Sequence, residues 1–249
     1  MSFSSPSLLP GLPIYTLRLG SVNGARPAES LVVSLVSSHV QSFSLTHCGG
    51  FFRGESDPGW AIVVAHDDHE KIAALAEALR LHFSQEGIGI EAYGRYLRCR
   101  VDHGAADLAA ELWGLKYGFH PAYSQTRFLI ETPPSHWPEH FSLITAWATT
   151  GEVWTPGQNQ EADERLRQSL LTRGVWHHRI TGKSPDGKHA EPGWAVAILP
   201  DEAKQLGAVF SQDAIYCVTA DALSVISCKE NRDAPLGSFR NRLRNENKT

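Results

Sequence analysis

The chain is poor in cysteine. Its four cysteines, Cys48, Cys99, Cys217 and Cys228, form no Cys-x-x-Cys step, so a structural zinc site is not expected. Three of them, Cys99, Cys217 and Cys228, sit in apolar runs, where a buried free thiol is the default. No stretch approaches the roughly 18 apolar residues of a membrane span, and the opening MSFSSPSLLPGLP has no basic segment of the secretory kind. A cytoplasmic, reduced protein with no membrane association is expected. Basic charge is scarce too. The net charge is −4 and the pI about 6.3, so nucleic acid is not expected as a partner. The one locally basic run, Arg240 to Arg244, reads as a solvated terminus. No P-loop, GxGxxG, GxSxG or HExxH occurs, which removes the commoner catalytic mechanisms without removing enzymes in general.

What the chain does have is a repeat. Asp57 to Ala92 opens on Asp-Pro-Gly-Trp-Ala and closes on Phe-Ser-Gln-Glu; Glu191 to Val218 opens on Glu-Pro-Gly-Trp-Ala and closes on Phe-Ser-Gln-Asp. Between them each copy reads as a strand followed by an amphipathic helix. Ile72, Leu75, Ala76, Leu79 and Phe83 fall on one stripe, as do Ala203, Leu206, Gly207 and Phe210. Trp60 to Phe83 is 23 positions and Trp194 to Phe210 is 16; the difference of seven is close to two helical turns. An internal duplication accounts for both blocks and their order.

With 42% apolar and 20% charged residues the chain is expected to fold throughout. An irregular lead-in covers 1–13. A first module spans 14–101: a strand from Ile14 to Leu19, a turn at Asn23-Gly24, a helix carrying Val32 and Val36, an extended stretch from Ser42 to Phe52 broken by Gly49-Gly50, the Trp60 strand and its helix, then a hairpin about Gly94-Arg95. A connecting segment, 102–140, holds a helix capped by Asp102 and ended by Gly118, a short strand at Phe128–Ile130, and a proline-rich link. A second module spans 141–228, with a turn at Thr155-Pro156-Gly157, a helix from Glu161 to Arg173, and the Trp194 strand. A polar, basic tail covers 229–249. Strand, helix, strand, strand, helix, strand is the ferredoxin-like order, so an α+β protein of two tandem ferredoxin-like (βαββαβ) modules is expected.

The second module resembles the bacterial domain of unknown function numbered 3293. The resemblance rests on Glu191-Pro-Gly-Trp194, the Leu206-Gly207 step, Phe210-Ser-Gln212-Asp-Ala-Ile215, and a loop with Pro156 and Asn159. It implies a fold and no reaction. The segment Trp176 to Arg179 and the loop to Lys188 have no counterpart in that family's pattern.

Twelve histidines raise the question of metal. His66 and His69 flank a helix start, where Asp67 or Asp68 serves as N-cap and His69 and Glu70 as surface residues. His177 and His178 are neighbours on a strand and point to opposite faces, so the two cannot share one metal without a bulge; no metal site is expected. His47-Cys48 beside Gly49-Gly50 reads as a strand ending or, alternatively, as a thiol with a base. Gln85 and Gln212 each close a helix after a buried Phe, where an amide satisfies orphan carbonyls; Glu191 and Asp57 organise the turn into a strand. The candidate ligand-binding set is Trp176, His177, His178, Trp194 and Gln212, with no catalytic residue or cofactor assigned. The expected function is a non-catalytic cytoplasmic binding or interaction protein, with a protein or small-molecule partner at the intermodule cleft or a sheet face. The alternative is a small-molecule or haem-type enzyme with a pocket between the modules, an analogy at the level of fold.

Overall fold

The computed structural model describes residues 11–52, 55–149 and 152–245, so most of the expected lead-in and residues 246–249 of the tail lie outside it. The protein is a mixed α+β chain with two sheets, and it divides into two compact units, 1–121 and 122–249.

The first unit runs β1 (Ile14–Leu19), α1 (Glu29–Ser37), β2 (Phe43–Phe52), β3 (Glu55–Ala65), α2 (His69–His82), β4 (Gly87–Ala92), β5 (Arg95–Arg100) and α3 (Ala105–Tyr117). Its five strands lie in the order β2-β3-β1-β4-β5 and every pair is antiparallel. Tyr15, Leu17 and Leu19 alternate inward from β1 and meet Val32 and Val36 of α1 and Ile72, Leu75 and Leu79 of α2 in one core. The helices owe their burial to this stripe rather than to propensity, which is why the valine-rich α1 is helical. Asp68 caps α2 by accepting from the backbone N–H groups of Glu70 and Lys71.

The second unit runs α4 (Ala122–Gln125), β6 (Arg127–Ile130), β7 (His140–Thr145), α5 (Pro156–Arg173), β8 (His177–Lys183), β9 (Ala190–Val196), α6 (Pro200–Val209), β10 (Ala214–Thr219), β11 (Ala222–Ser227), β12 (Asp233–Ser238), α7 (Phe239–Arg242) and β13 (Leu243–Asn245). The sheet order is β12-β11-β10-β7-β9-β8-β6-β13. Helices α5 and α6 cover one face through Ala162, Leu166, Leu170, Ala203 and Leu206. The other face is rolled. Tyr216 on β10 and Phe128 on β6 are four strands apart, about 19 Å on a flat sheet, yet their ring centroids are 5.1 Å apart. The trough so formed is filled by buried Phe128, Phe141 and Phe239.

Several sequence expectations change. Gly49 and Gly50 do not break β2, because both pair with β3, opposite Pro58 and Asp57. Gly104, not Asp102, is the N-cap of α3. Thr155-Pro156-Gly157 is not a free turn. Thr155 forms a capping box with Gln158, so α5 starts at Pro156, five residues before the expected Glu161. The Trp-to-Phe difference of seven is not two helical turns: α2 has 14 residues and α6 has 10, and the rest lies in the longer β3. His69 is partly buried, with a buried Nδ1 that has no partner, and burial holds its pKa below the ordinary histidine value. The basic run 240–244 is not a frayed end: the Arg242 guanidinium donates to the carbonyls of Leu236, Ser124 and Thr126, and β13 pairs with β6.

Candidate functional site

The five sequence candidates fall in three places. Trp176 and His178 face the aromatic trough. Their rings lie 6.2 Å apart and near parallel, and Trp137 stands 6.0 Å from each. His178 Nε2 is 2.7 Å from the carbonyl oxygen of Thr132; a carbonyl only accepts, so that nitrogen carries the proton. His177 points to the helix side, edge-on to Trp194 at 5.5 Å, with Nδ1 donating to the Val175 carbonyl. Around Trp194 a small polar cluster forms. Asp163 of α5 accepts the indole N–H at 3.1 Å and two bonds from Arg179 at 2.8 and 2.9 Å, while the Arg179 guanidinium lies 4.7 Å above the indole ring. Gln212 lies elsewhere, at the end of α6. The two histidines therefore occupy opposite faces, as strand alternation requires. Among the described residues no group of three His, Cys, Asp or Glu side chains could hold a metal ion.

Gln212 adjoins a cavity of about 250 Å³ between α5 and the end of α6, lined by Ala146, Trp154, Ala162, Arg165, Val209, Phe210 and Ser211. Two buried amides shape it. Asn159 Oδ1 accepts from the Ala148 backbone N–H at 2.9 Å, and Gln212 Nε2 donates to the carbonyls of Trp147 at 2.8 Å and Phe210 at 3.1 Å. The loop after β7 is thus pinned from α5 on one side and from the end of α6 on the other. Ser211 sits at φ 58, a left-handed conformation that turns the chain sharply enough for Gln212 to reach back under Phe210. Ala162 and Arg165 are three apart and share one face of α5. Trp154 donates its indole N–H to Glu152 at 2.9 Å. Val209 of the lining is 75% exposed.

Among the described residues the lining offers no carboxylate, imidazole or thiol. Its polar side-chain groups are the Arg165 guanidinium, the Ser211 hydroxyl and the Trp154 indole N–H, so these residues can bind but form no acid–base pair. Gln212 was named in the sequence as a helix-end amide, whereas Asn159 was expected in a loop and instead lies within the first turn of α5. Arg165, Trp154 and Val209 were not legible, because their common wall is made by loop and helix ends far apart in the chain. The one available signal was the position of Ala162 and Arg165 two turns after the Pro156 helix start.

The first unit repeats the amide device. Gln85 Nε2 donates to the carbonyls of Ser21 at 3.0 Å and Phe83 at 3.3 Å, and Ser84 is at φ 51. Asp57 accepts from the Ser21 backbone N–H at 2.6 Å, whereas Glu191 pairs with His189. His47 packs edge-on against Trp60 at 4.6 Å.

Residues 144–215 match the model of a family described as Protein of unknown function (DUF3293). The match contains α5, β8, β9 and α6, and with them Asn159, Trp194 and Gln212. A search of curated proteins finds no match. A solved structure titled "Phage SAM lyase in apo state" is 15% identical, with an alignment covering 41% of this chain and 95% of that chain at a TM-score of 0.31. A likeness at that level assigns neither fold nor activity to this chain.

Proposed function

We propose that the segment matching the DUF3293 model carries a non-catalytic binding site, and that the helix-side cavity receives an apolar side chain of a protein partner with an acidic group beside it. The observation behind this reading is a cavity walled by Ala146, Trp154, Ala162, Val209 and Phe210, flanked by two buried amides, with one guanidinium and the exposed Val209 in its lining. Size favours an anchor side chain. A volume of about 250 Å³ lies below the roughly 300–1,000 Å³ of small-molecule and cofactor pockets. Apolar anchors set in such pockets carry most of the binding energy at protein interfaces. The haem-type alternative is not favoured: Trp176 and His178, His177 and Trp194, and Gln212 stand in three separate surroundings.

The architectural half of the proposal is that both units descend from one ferredoxin-like module by tandem duplication. In support, the strand orders β2-β3-β1-β4 and β8-β9-β7-β10 match position for position. Trp60 and Trp194 occupy the matching strand, opposite Leu19 and Ile144. Gly59 and Gly193, one residue earlier, each lie against the carbonyl of that opposite residue. Residence in the cytoplasm completes the proposal, supported by four free cysteines.

The test uses N-acetyl-leucine, an apolar side chain bearing a carboxylate, titrated into the isotope-labelled full chain by NMR. Amide shifts are expected at Ala146, Ala162 and Ser211 and at the Trp154 indole, weakened by Arg165→Gln and abolished by Ala162→Phe. Shifts confined to other residues, or shifts unchanged in both variants, would overturn the reading.

A further inference from the structure

Within the first unit, among the described residues, the sheet has one face that no helix covers, and its register assembles a cationic platform there. Directly opposed residues share a face, so Arg18 on β1, Gly89 and Glu91 on β4, and Tyr96 and Arg98 on β5 project together, with Arg100 opposite Gly87. The two glycines decide how these side chains lie. A Cβ at Gly89 would stand 2.2 Å from the Tyr96 hydroxyl oxygen, and one at Gly87 would stand 2.5 Å from Arg98 Nε. Both side chains therefore lie down across the sheet, and the Tyr96 ring is held there while remaining 61% exposed. The row beside them is small: Ala61 and Thr46 continue Gly89 and Arg18 across β3 and β2, and Thr16 opposes Glu91 in the next row. Glu91 partners Arg18 at 2.8 Å and Asp102 lies 3.6 Å from Arg100, an exposed pair, while Arg98 has no ion-pair partner among the described residues. Three guanidinium groups thus stand with two carboxylates, leaving Arg98 as the one without a carboxylate beside it.

We propose that this face binds single-stranded nucleic acid, with a base stacked on Tyr96 and phosphates held by Arg18, Arg98 and Arg100. An exposed ring flanked by guanidinium groups is the pairing that single strands use, since every base has a π-face and every step a phosphate. An acidic peptide would use the arginines and leave the ring without a role. A second copy of this chain, packed face to face, would set the same cations against each other. The chain-wide charge of −4 does not oppose the proposal, because it averages over faces and the phosphates meet only this one. The platform is distinct from the helix-side cavity of the second unit, so either site can fail alone.

The experiment is fluorescence anisotropy of the full chain with a labelled oligothymidylate of about eight nucleotides. Three phosphate contacts give a slope of about −2 in log K against log salt, a loss of roughly 20-fold between about 50 and 200 mM. Arg98→Ala is expected to lower the slope by about 0.7. Tyr96→Ala is expected to weaken binding about tenfold, with Tyr96→Phe restoring most of it. Arg173→Gln, an exposed guanidinium of the second unit outside both sites, is expected to change nothing. The proposal fails if no binding is seen at low salt, if Tyr96→Ala and Arg98→Ala leave affinity unchanged, or if polyglutamate displaces the oligonucleotide as well as unlabelled oligonucleotide does.

Discussion

Replacing Gln212 by alanine tests the amide on which the cavity is built. Gln212 is 6% exposed, and its side-chain nitrogen makes two bonds, to the Trp147 and Phe210 carbonyls. Each bond contributes about 1 kcal/mol net, and a carbonyl left buried without a partner adds a cost of about 1–3 kcal/mol. Part of that cost is relieved by water at the cavity, so the expected loss is about 2–3 kcal/mol. In a unit of about 130 residues this lowers the melting temperature by roughly 8–12 °C. The counterpart substitution Gln85→Ala removes the same two kinds of bond, but Gln85 is only half-buried, so about 1 kcal/mol is expected. Urea unfolding, followed by probes in each unit, reads both effects as separate midpoint shifts at constant slope. Hydrogen exchange adds a local readout, with faster exchange of the Ala148 amide in Gln212→Ala. The reasoning is refuted if Gln212→Ala lies within about 0.5 kcal/mol of the parent, or if Gln85→Ala is the more damaging of the two.

Gly59→Ala and Gly193→Ala place a Cβ 2.0 Å from the Leu19 carbonyl oxygen and 2.6 Å from that of Ile144. Backbone must move in both, so each is expected to cost about 2–3 kcal/mol or more, Gly59→Ala the more, measured by thermal unfolding. Asp163→Asn keeps an acceptor for the Trp194 indole but loses the Arg179 ion pair. That pair is partly exposed, and the expected cost is about 1 kcal/mol with a change in tryptophan fluorescence; a cost above about 3 kcal/mol would contradict the exposed character of Arg179. Burial and the Glu77 carboxylate push the Cys99 thiol up to about 12, and burial raises Tyr15 and Tyr216 as well. A raised folded-state pKa gives stability that is present below the unfolded value and lost as pH rises through the folded one. Stability is therefore expected to decline from about pH 9 toward pH 12, and a flat urea midpoint across that window would contradict it. At the acid end the Arg167 guanidinium, with Gln168, holds Glu164 down at about 2. Its contribution is present above about pH 4.5 and falls away toward pH 2. Glu164→Gln is expected to flatten that part of an acid titration slightly.

The repeated stripes were legible in the sequence because a helix lying on a sheet must present apolar residues every three or four positions. Phe-Ser-Gln was legible as a helix ending for a similar reason. The Ser turns left-handed and the Gln amide takes carbonyls that the helix cannot satisfy, at 83–85 and again at 210–212. The start of α5 was misread because Pro156 and Gly157 signal a turn as strongly as a helix. Only the reciprocal bonds between Thr155 and Gln158 decide between them.

By itself, then, the sequence determined periodicity, the Asp68 cap, the Gly118 stop and the recurrence of two short blocks, all of which depend on residues within a turn or two of one another. Tertiary structure alone decided that Arg165, Trp154 and Val209 share a wall, and that Arg18 lies beside Tyr96 across 78 positions of chain. The physical reason is register. Which residues oppose each other across a sheet is fixed by the sum of all strand pairings, and no local window of the sequence contains that sum.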